Sequence, residues 1–194
     1  IWEGRKSGLN IMMSMKGDGK PVSFIEDCAV DLKDLAEYTR RVSEIFQKHG
    51  TTGTFYAHAS VGCLHVRPIL NMKEESGAHK MRAIVEETLE IVREYKGSHS
   101  GEHGDGLSRS EFHLPMFGQR MVDSFEEVKH SFDPAGTFNP GKIVRPPKMD
   151  DRSLFRFAPG YSIAPIATTM DWSDFGSFNQ ALEMCNNNGA CRKS

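Results

Sequence analysis

The sequence lacks an excess of charge of either sign, and it lacks any long apolar run. Its 24 Lys and Arg residues nearly balance its 26 Asp and Glu residues, which leaves a formal net charge of −2. No basic face or polybasic run therefore points to nucleic acid or to a membrane surface. No apolar stretch approaches the roughly 20 residues that a membrane-spanning helix needs. These absences argue against a nucleic-acid-binding protein and against a transmembrane protein.

Cysteine is also scarce, and no secretory segment accompanies it. The 194 residues contain four cysteines, Cys28, Cys63, Cys185 and Cys191. The first two fall within predicted strands, and we expect them to be reduced core thiols rather than a disulfide. The length allows one medium domain with a long tail. From the residues at both ends we expect the chain to be a section of a larger protein.

Hydrophobic periodicity predicts an α+β fold. The order is a strand, a helix capped by Asp31, a hairpin, a second helix, a short extended piece and two further helical stretches. This order predicts a ferredoxin-like antiparallel sheet with helices on one face, then C-terminal helices and an extended tail with one short strand. The predicted segments are Pro21–Val30, 31–50, 51–70, 71–97, Glu111–Phe117, Gln119–Phe132 and, for the tail strand, Ser153–Phe157.

The hairpin carries two histidines on one face. If Val61 and Gly62 are the central turn residues, His58 lies directly opposite His65, with Cβ atoms about 4.5–5.5 Å apart. That separation suits two imidazoles that bind one metal ion through bonds of about 2.0–2.1 Å. Val61 would resist a turn that needs a positive φ, so a type II turn with Gly62 at that position is favoured.

A glycine-rich loop, 101–106, carries the other candidate groups. Glu102 and His103 are neighbours, so one side chain can reach a metal while the other faces a substrate. A histidine whose pKa lies near neutrality is a suitable general acid or base. His99 and Asp105, which flank this pair, fit better as solvated residues of a loop that enters a helix.

Three motifs in combination resemble a known family. They are His58-x6-His65, Glu102-His103-Gly104 and the segment Phe-Asp-Pro-x-Gly-x-Phe-Asn-Pro-Gly-Lys at 132–142. Together they resemble the C-terminal half of FAD-linked oxidases of the vanillyl-alcohol-oxidase class. The similarity extends to D-lactate and D-2-hydroxyglutarate dehydrogenases fused to an iron–sulfur module. It covers roughly residues 1–145 and continues at 185–191.

The resemblance implies roles for individual residues. It implies a divalent metal, zinc in the first instance, and an acid/base group beside it. It also implies that an arginine near the N-terminus clamps a substrate carboxylate, that Arg67 helps to orient it, and that the turn at 139–141 lies against the flavin. The residues concerned are His58, His65 and Glu102 for the metal, His103 for the proton, Arg5 and Arg67 for the substrate, and Asn139 and Gly141 for the flavin.

The resemblance also implies a division of the chain and a reaction. Residues 1–145 would form the cap and substrate-binding domain, and residues 146–194 a linker into a truncated iron–sulfur motif with Cys185 and Cys191. The implied activity is oxidation of a D-2-hydroxy acid to a 2-keto acid, with FAD bound mostly by a separate N-terminal domain and a 4Fe-4S cluster in the parent protein. We expect a cytoplasmic protein, or one held at the membrane periphery through a respiratory electron acceptor, and an isolated chain without activity.

Two other functions fit the residues without the resemblance. A metal-dependent hydrolase would use the same two histidines and Glu102 with a bound water, and a metal assay with ester substrates would identify it. A non-catalytic ferredoxin-like module that binds a small ligand predicts no metal at the hairpin. The hydrolase does not explain the Asn139-Pro-Gly-Lys142 element.

Overall fold

The computed structural model describes residues 7–8, 11–185, 189 and 192, and within these the fold is α+β, as predicted. Strands and helices alternate in the first half, and helices and turns follow. The strands are β1 (Lys20–Pro21), β2 (Cys28–Ala29), β3 (Gly53–His58) and β4 (Cys63–Leu70). Among the described residues the α-helices are α1 (Leu35–Lys48), α2 (Glu75–Glu94), α3 (Gly106–Arg109), α4 (His113–Phe117), α5 (Gln119–Phe132) and α6 (Phe178–Glu183).

The sheet is antiparallel and is organised around β4. One edge of β4 pairs along its length with β3, while its other edge pairs with β1 at one end and β2 at the other. The predicted strand over Pro21–Val30 is therefore wrong, since only its two ends pair. Asp27 adopts a left-handed conformation, with φ of 62°, which extended strand backbone does not allow. The final extended piece contributes one bridge, between Ala29 and Ser98.

Helix α2 buries the stripe that its periodicity predicts. Helix α1 buries Val42, Ile45 and Phe46 as predicted, whereas Leu32, predicted in the same stripe, lies in the preceding turn and is 55% exposed. Helix α1 follows a short 3-10 turn whose N-cap, Asp31, accepts a hydrogen bond from the Lys33 amide, and Gly50 takes the left-handed conformation after the helix. Each fully buried aliphatic side chain contributes about 1.5–3 kcal/mol relative to an exposed one. The buried stripes comprise Tyr38, Val42, Ile45 and Phe46 on α1, and Met81, Ile84, Val85, Leu89 and Val92 on α2.

The two cysteines of the core are free thiols, as predicted. Cys28 and Cys63 are both buried, and neither forms a disulfide. Burial raises the pKa of Cys28 to about 12 and that of Cys63 to about 11. Both therefore remain protonated at neutral pH and behave as small apolar side chains.

The tail contains turns where a strand was predicted. Residues Arg152–Leu154 form a 3-10 turn, because the Asp151 carboxylate accepts hydrogen bonds from the amide and hydroxyl of Ser153. Met149 belongs to the buried core and Phe155 packs against that core, so this part of the tail is attached to the sheet and its helices. Within the described residues, no helix has the length and apolar character needed to cross a bilayer.

Candidate active site

The hairpin brings both histidines to one face, but in a different register from the predicted one. His58 lies opposite Cys63, and Tyr56 lies opposite His65. The prediction of His58 opposite His65 is wrong because the strands are joined by a 3-10 turn at Ala59–Val61 and by Gly62, rather than by a two-residue turn. Gly62 takes the predicted positive φ, 69°. The pairing is shifted by two residues, which leaves every side chain on its predicted face.

Glu102 joins the two histidines. Its Oε1 atom lies 2.8 Å from Nε2 of His65 and 3.2 Å from Nε2 of His58. One ligand atom from each of the three residues lies within 4.8 Å of the other two. Both ring nitrogens of His65 are buried without a hydrogen bond of acceptable geometry. Two imidazoles and a carboxylate form a donor set that zinc favours, so these residues fit a divalent metal ion.

His65 is held in a stack of rings. Tyr56 stacks on it at 4.6 Å between centroids, and His103 also stacks on it at 4.9 Å. Its side chain is 1% exposed, and burial lowers its pKa below the usual value. A neutral imidazole is the form that binds metal ions.

His103 faces the same carboxylate and has a second acidic partner. Its Nε2 atom lies 3.3 Å from Oε1 of Glu102, and its Nδ1 atom lies 3.1 Å from Oε1 of Glu26. Burial by itself raises the pKa of Glu26, but hydrogen bonds from Arg67 and Ser23 outweigh it, so the net pKa is lowered. An ionised carboxylate only accepts hydrogen bonds, so Nδ1 of His103 carries the proton and Nε2 is left with a lone pair that faces the metal ligands.

Arg67 holds Glu26, the second acidic partner of His103. Its Nε atom donates to Glu26 at 2.5 Å, and its side chain is 11% exposed. Sequence reasoning missed Glu26 because the segment around it was interpreted as a strand. The acidic pair Glu26-Asp27, next to the buried Phe24 and Ile25, was the available signal.

The loop is fixed by a buried carboxylate that was also missed. Oδ2 of Asp27 accepts hydrogen bonds from the amides of Glu102 and His103, at 2.8 Å and 2.5 Å. Its Oδ1 atom lies 3.0 Å from the guanidinium of Arg109. Asp27 therefore sets the backbone from which two of the candidate site residues project.

An open cavity of about 520 Å³ adjoins the cluster. The four polar groups His58, His65, Glu102 and His103 line one part of it. Apolar and aromatic side chains from the N-terminal segment and from β3 line the rest, namely Ile11, Met12, Phe55 and Tyr56. A mostly apolar pocket with a few convergent polar groups is typical of a small-molecule site.

The other predicted site residues are not all placed beside this cavity. Asn139 and Gly141 have positive φ values of 43° and 72°, and Asn139 lines a different open cavity of about 510 Å³. Cys185 is exposed. Arg5 and Cys191 lie outside the described residues.

The chain is similar to a known protein family and to several characterised proteins. The family "FAD linked oxidases, C-terminal domain" matches residues 1–143, and the chain belongs to that family. The chain is similar to a protein of Escherichia coli strain K12 named D-2-hydroxyglutarate dehydrogenase, with 33% identity over 98% of this chain and 18% of that protein. The protein of the same name from Pantoea ananatis is 30% identical over the same shares. A D-lactate dehydrogenase from Archaeoglobus fulgidus is 30% identical over 69% of this chain and 29% of that protein.

The chain thus spans less than a fifth, 18%, of the length of each of the first two relatives. The two names denote hydroxy acid dehydrogenases and the matched family is one of FAD-linked oxidases, so together they indicate the class of flavin-linked hydroxy acid oxidoreductases.

Proposed function

We propose that this chain is the substrate-binding part of an FAD-dependent dehydrogenase that oxidises a D-2-hydroxy acid to a 2-keto acid. The observation that carries the proposal is the convergence of His58, His65 and Glu102 on one point, with His103 beside them. The names of the relatives, D-2-hydroxyglutarate and D-lactate dehydrogenase, supply the substrate class.

Each residue of the cluster has a separate task in this proposal. His58, His65 and Glu102 would hold a divalent metal, which would supply Lewis acidity beside the substrate hydroxyl group. Nε2 of His103 accepts the hydroxyl proton. Glu26 holds the Nδ1 proton of His103 and stabilises the positive charge that the ring acquires, and Arg67 keeps Glu26 ionised.

The remaining hydrogen, on C2 of the substrate, leaves as hydride with its electron pair. FAD supplies the acceptor for that hydride when it is bound. Loss of the hydroxyl proton and of the hydride converts the alcohol into a ketone, so atoms and charges balance. The apolar wall of the cavity limits access of water to the reacting carbon.

The Asn139–Gly141 turn is the proposed flavin contact. The cavity beside it has exposed aromatic rings, with Phe132 86% and Phe138 69% exposed. An apolar, aromatic surface fits the edge of a flat ring system. Arg67 stays a proposed substrate contact, with its Nε atom already bound to Glu26, and Arg5 is proposed as the carboxylate clamp.

Cys185 and Cys191 are proposed as two ligands of an iron–sulfur cluster. A 4Fe-4S cluster takes four thiolates, so two further cysteines must come from another part of the parent protein. The FAD-binding half and this iron–sulfur module are the proposed partners. Electrons would pass from the flavin to the cluster.

The test uses the full-length protein that carries this chain. Reduction of its flavin is followed anaerobically after mixing with D-2-hydroxyglutarate or D-lactate. We expect His103→Asn to slow reduction at saturating substrate by about 10²–10⁴-fold, which is the usual contribution of a general base. The exposed His79 supplies the matched control, His79→Asn, with an unchanged rate. An unchanged rate in His103→Asn would refute the role of His103, and ester hydrolysis without flavin reduction would favour a hydrolase.

A further inference from the structure

We infer that His99, Asp105 and His113 form a second binding site for a divalent metal ion. The three residues share no member with the cluster at the hairpin. One ligand atom from each lies within 4.8 Å of the other two. His99 and Asp105 belong to the loop that carries Glu102, and His113 begins α4.

The burial of these residues contradicts their interpretation as solvated loop residues. His99 is 1% exposed and His113 is 3% exposed, and the side chain of Asp105 is 19% exposed. Polar side chains are rarely buried without partners. Here both ring nitrogens of His99, Nε2 of His113 and Oδ1 of Asp105 are buried without an acceptable hydrogen bond.

The distances match those between ligands of one ion. Nε2 of His99 lies 3.3 Å from Oδ1 of Asp105, and Nε2 of His113 lies 3.0 Å from Oδ2. Tetrahedral zinc with bonds of about 2.0–2.1 Å places its ligand atoms roughly 3.3–3.4 Å apart. Only small movements of the side chains are needed to admit an ion.

A hydrogen bond at Nδ1 of His113 determines which nitrogen of that ring is available to bind the metal ion. Nδ1 lies 3.2 Å from the carbonyl oxygen of Ile143. A carbonyl only accepts, so Nδ1 carries the hydrogen and the lone pair of Nε2 points at the carboxylate of Asp105. A lone pair and an anion that face each other repel, and a metal ion between them, or a second proton on Nε2 of His113, removes that repulsion. A hydrogen bond from the second nitrogen to a carbonyl is also the usual support of a metal-binding histidine.

The aromatic rings around the site raise the cost of leaving the Asp105 carboxylate without a positive partner. Phe117 lies 5.3 Å from His99 and 5.6 Å from His113, measured between ring centroids, and Phe125 lies 5.8 Å from His113. These rings shield the site, and an uncompensated carboxylate is costly in such an environment. The neighbouring guanidinium of Arg109 is directed to Asp27 at 3.0 Å.

The ligand set identifies the class of ion and its effect. Two imidazoles and one carboxylate suit zinc and its neighbours in the first transition row better than calcium or magnesium. Such an ion would join the loop at 98–105 to α4, and through Ile143 to the segment beyond α5. Its role would be structural, since the site is enclosed.

Zinc stoichiometry in the 194-residue chain tests the inference. The chain is saturated with Zn²⁺, freed of excess by gel filtration and analysed for zinc per mole of protein. We expect two equivalents for the unmodified chain and one for Glu102→Gln, which removes a ligand of the hairpin site only. Retention of one equivalent in Glu102→Gln supports the second site, and loss of all zinc from that variant overturns it.

A second pair of variants locates the remaining ion. Asp105→Asn keeps the size of the side chain and removes its charge, so in the Glu102→Gln background it should weaken zinc binding by at least 10-fold. Circular dichroism in EDTA checks that the double variant is folded. If the double variant is unfolded, the Co²⁺ absorption spectrum of Glu102→Gln alone reports which ligands bind the remaining ion. Zinc that persists in the folded double variant, or Co²⁺ bands that lack nitrogen ligation, would refute the assignment. If only the hairpin site fails to bind zinc, the equivalent assigned to that site is lost while the second site keeps its own. The two hypotheses therefore fail separately.

Discussion

Nε2 of His65 lies 2.8 Å from Oε1 of Glu102, although the two residues belong to a strand and to a separate loop. Their contact lacks the geometry of a hydrogen bond at the ring nitrogen. The imidazole is buried, and that burial lowers its pKa and so favours the neutral ring. A neutral ring and a carboxylate in this position are suited to share a metal ion.

Substitution of the carboxylate should therefore remove zinc from the hairpin site. For Glu102→Gln we expect a loss of zinc affinity larger than the roughly 10–100-fold that follows changes in outer-shell partners. Isothermal titration with Zn²⁺ measures it. The exposed Glu90 provides the control, Glu90→Gln, which should bind zinc like the unmodified chain. Equal affinities in the two variants would contradict the assignment of Glu102 as a ligand.

The hairpin turn should be sensitive to a single methyl group. A Cβ atom at Gly62 would lie 1.9 Å from the carbonyl oxygen of Val30, and Gly62 has a positive φ. The left-handed conformation costs an L-residue about 1–2 kcal/mol, and relief of the clash adds about 1–3 kcal/mol of overpacking. We expect Gly62→Ala to lower the free energy of unfolding by the sum of both, measured by urea denaturation.

A second glycine separates the two contributions. Gly17 also has a positive φ, 85°, but a Cβ atom there would meet nothing within 4 Å. Gly17→Ala should lose only the conformational part, about 1–2 kcal/mol. If the two substitutions cost the same, the close approach of Val30 to the turn has no energetic weight.

The segment after α5 should depend on pH through Asp133. A hydrogen bond from Lys129 and those from the amides of Phe138 and Thr137 lower its pKa from 3.8 to about 2. A carboxyl group with a lowered pKa in the folded state stabilises that state fully above pH 3.8, and the contribution is lost as the pH falls toward 2. The stability difference between the unmodified chain and Asp133→Asn should therefore shrink across this range.

The measurement is the free energy of unfolding at several pH values between 6 and 2. Asp174→Asn removes one exposed carboxylate and corrects for the change in net charge. A difference for Asp133→Asn that stays constant down to pH 2 would show that the carboxylate does not stabilise the turn.

The parts of the fold that follow from local periodicity could be predicted. The stripe on α2 needs only a period of 3.6, and the faces of His58 and His65 need only a period of two. The register could not be predicted, because it depends on the close contact between Gly62 and Val30. That contact joins two segments that are distant in sequence.

The sequence likewise predicted only part of the candidate site. Glu102 and His103 carry a recognisable motif, so their proximity to the hairpin could be anticipated. The roles of Glu26 and Asp27 could not be predicted, because the residue pattern of their segment resembles that of a strand. Their partners, Arg67 among them, also lie far along the chain. The burial of His99 depends on aromatic side chains from later helices, which no short window of sequence includes.

Asp27 also restricts the motion of the loop at 101–106. Its main-chain oxygen accepts the amide of Gly101 at 2.8 Å, and its carboxylate accepts the next two amides, those of Glu102 and His103. Three successive amides thus depend on a single residue that is fully buried. In deuterated buffer they should show one common protection factor, since none can open to solvent unless the whole segment releases Asp27.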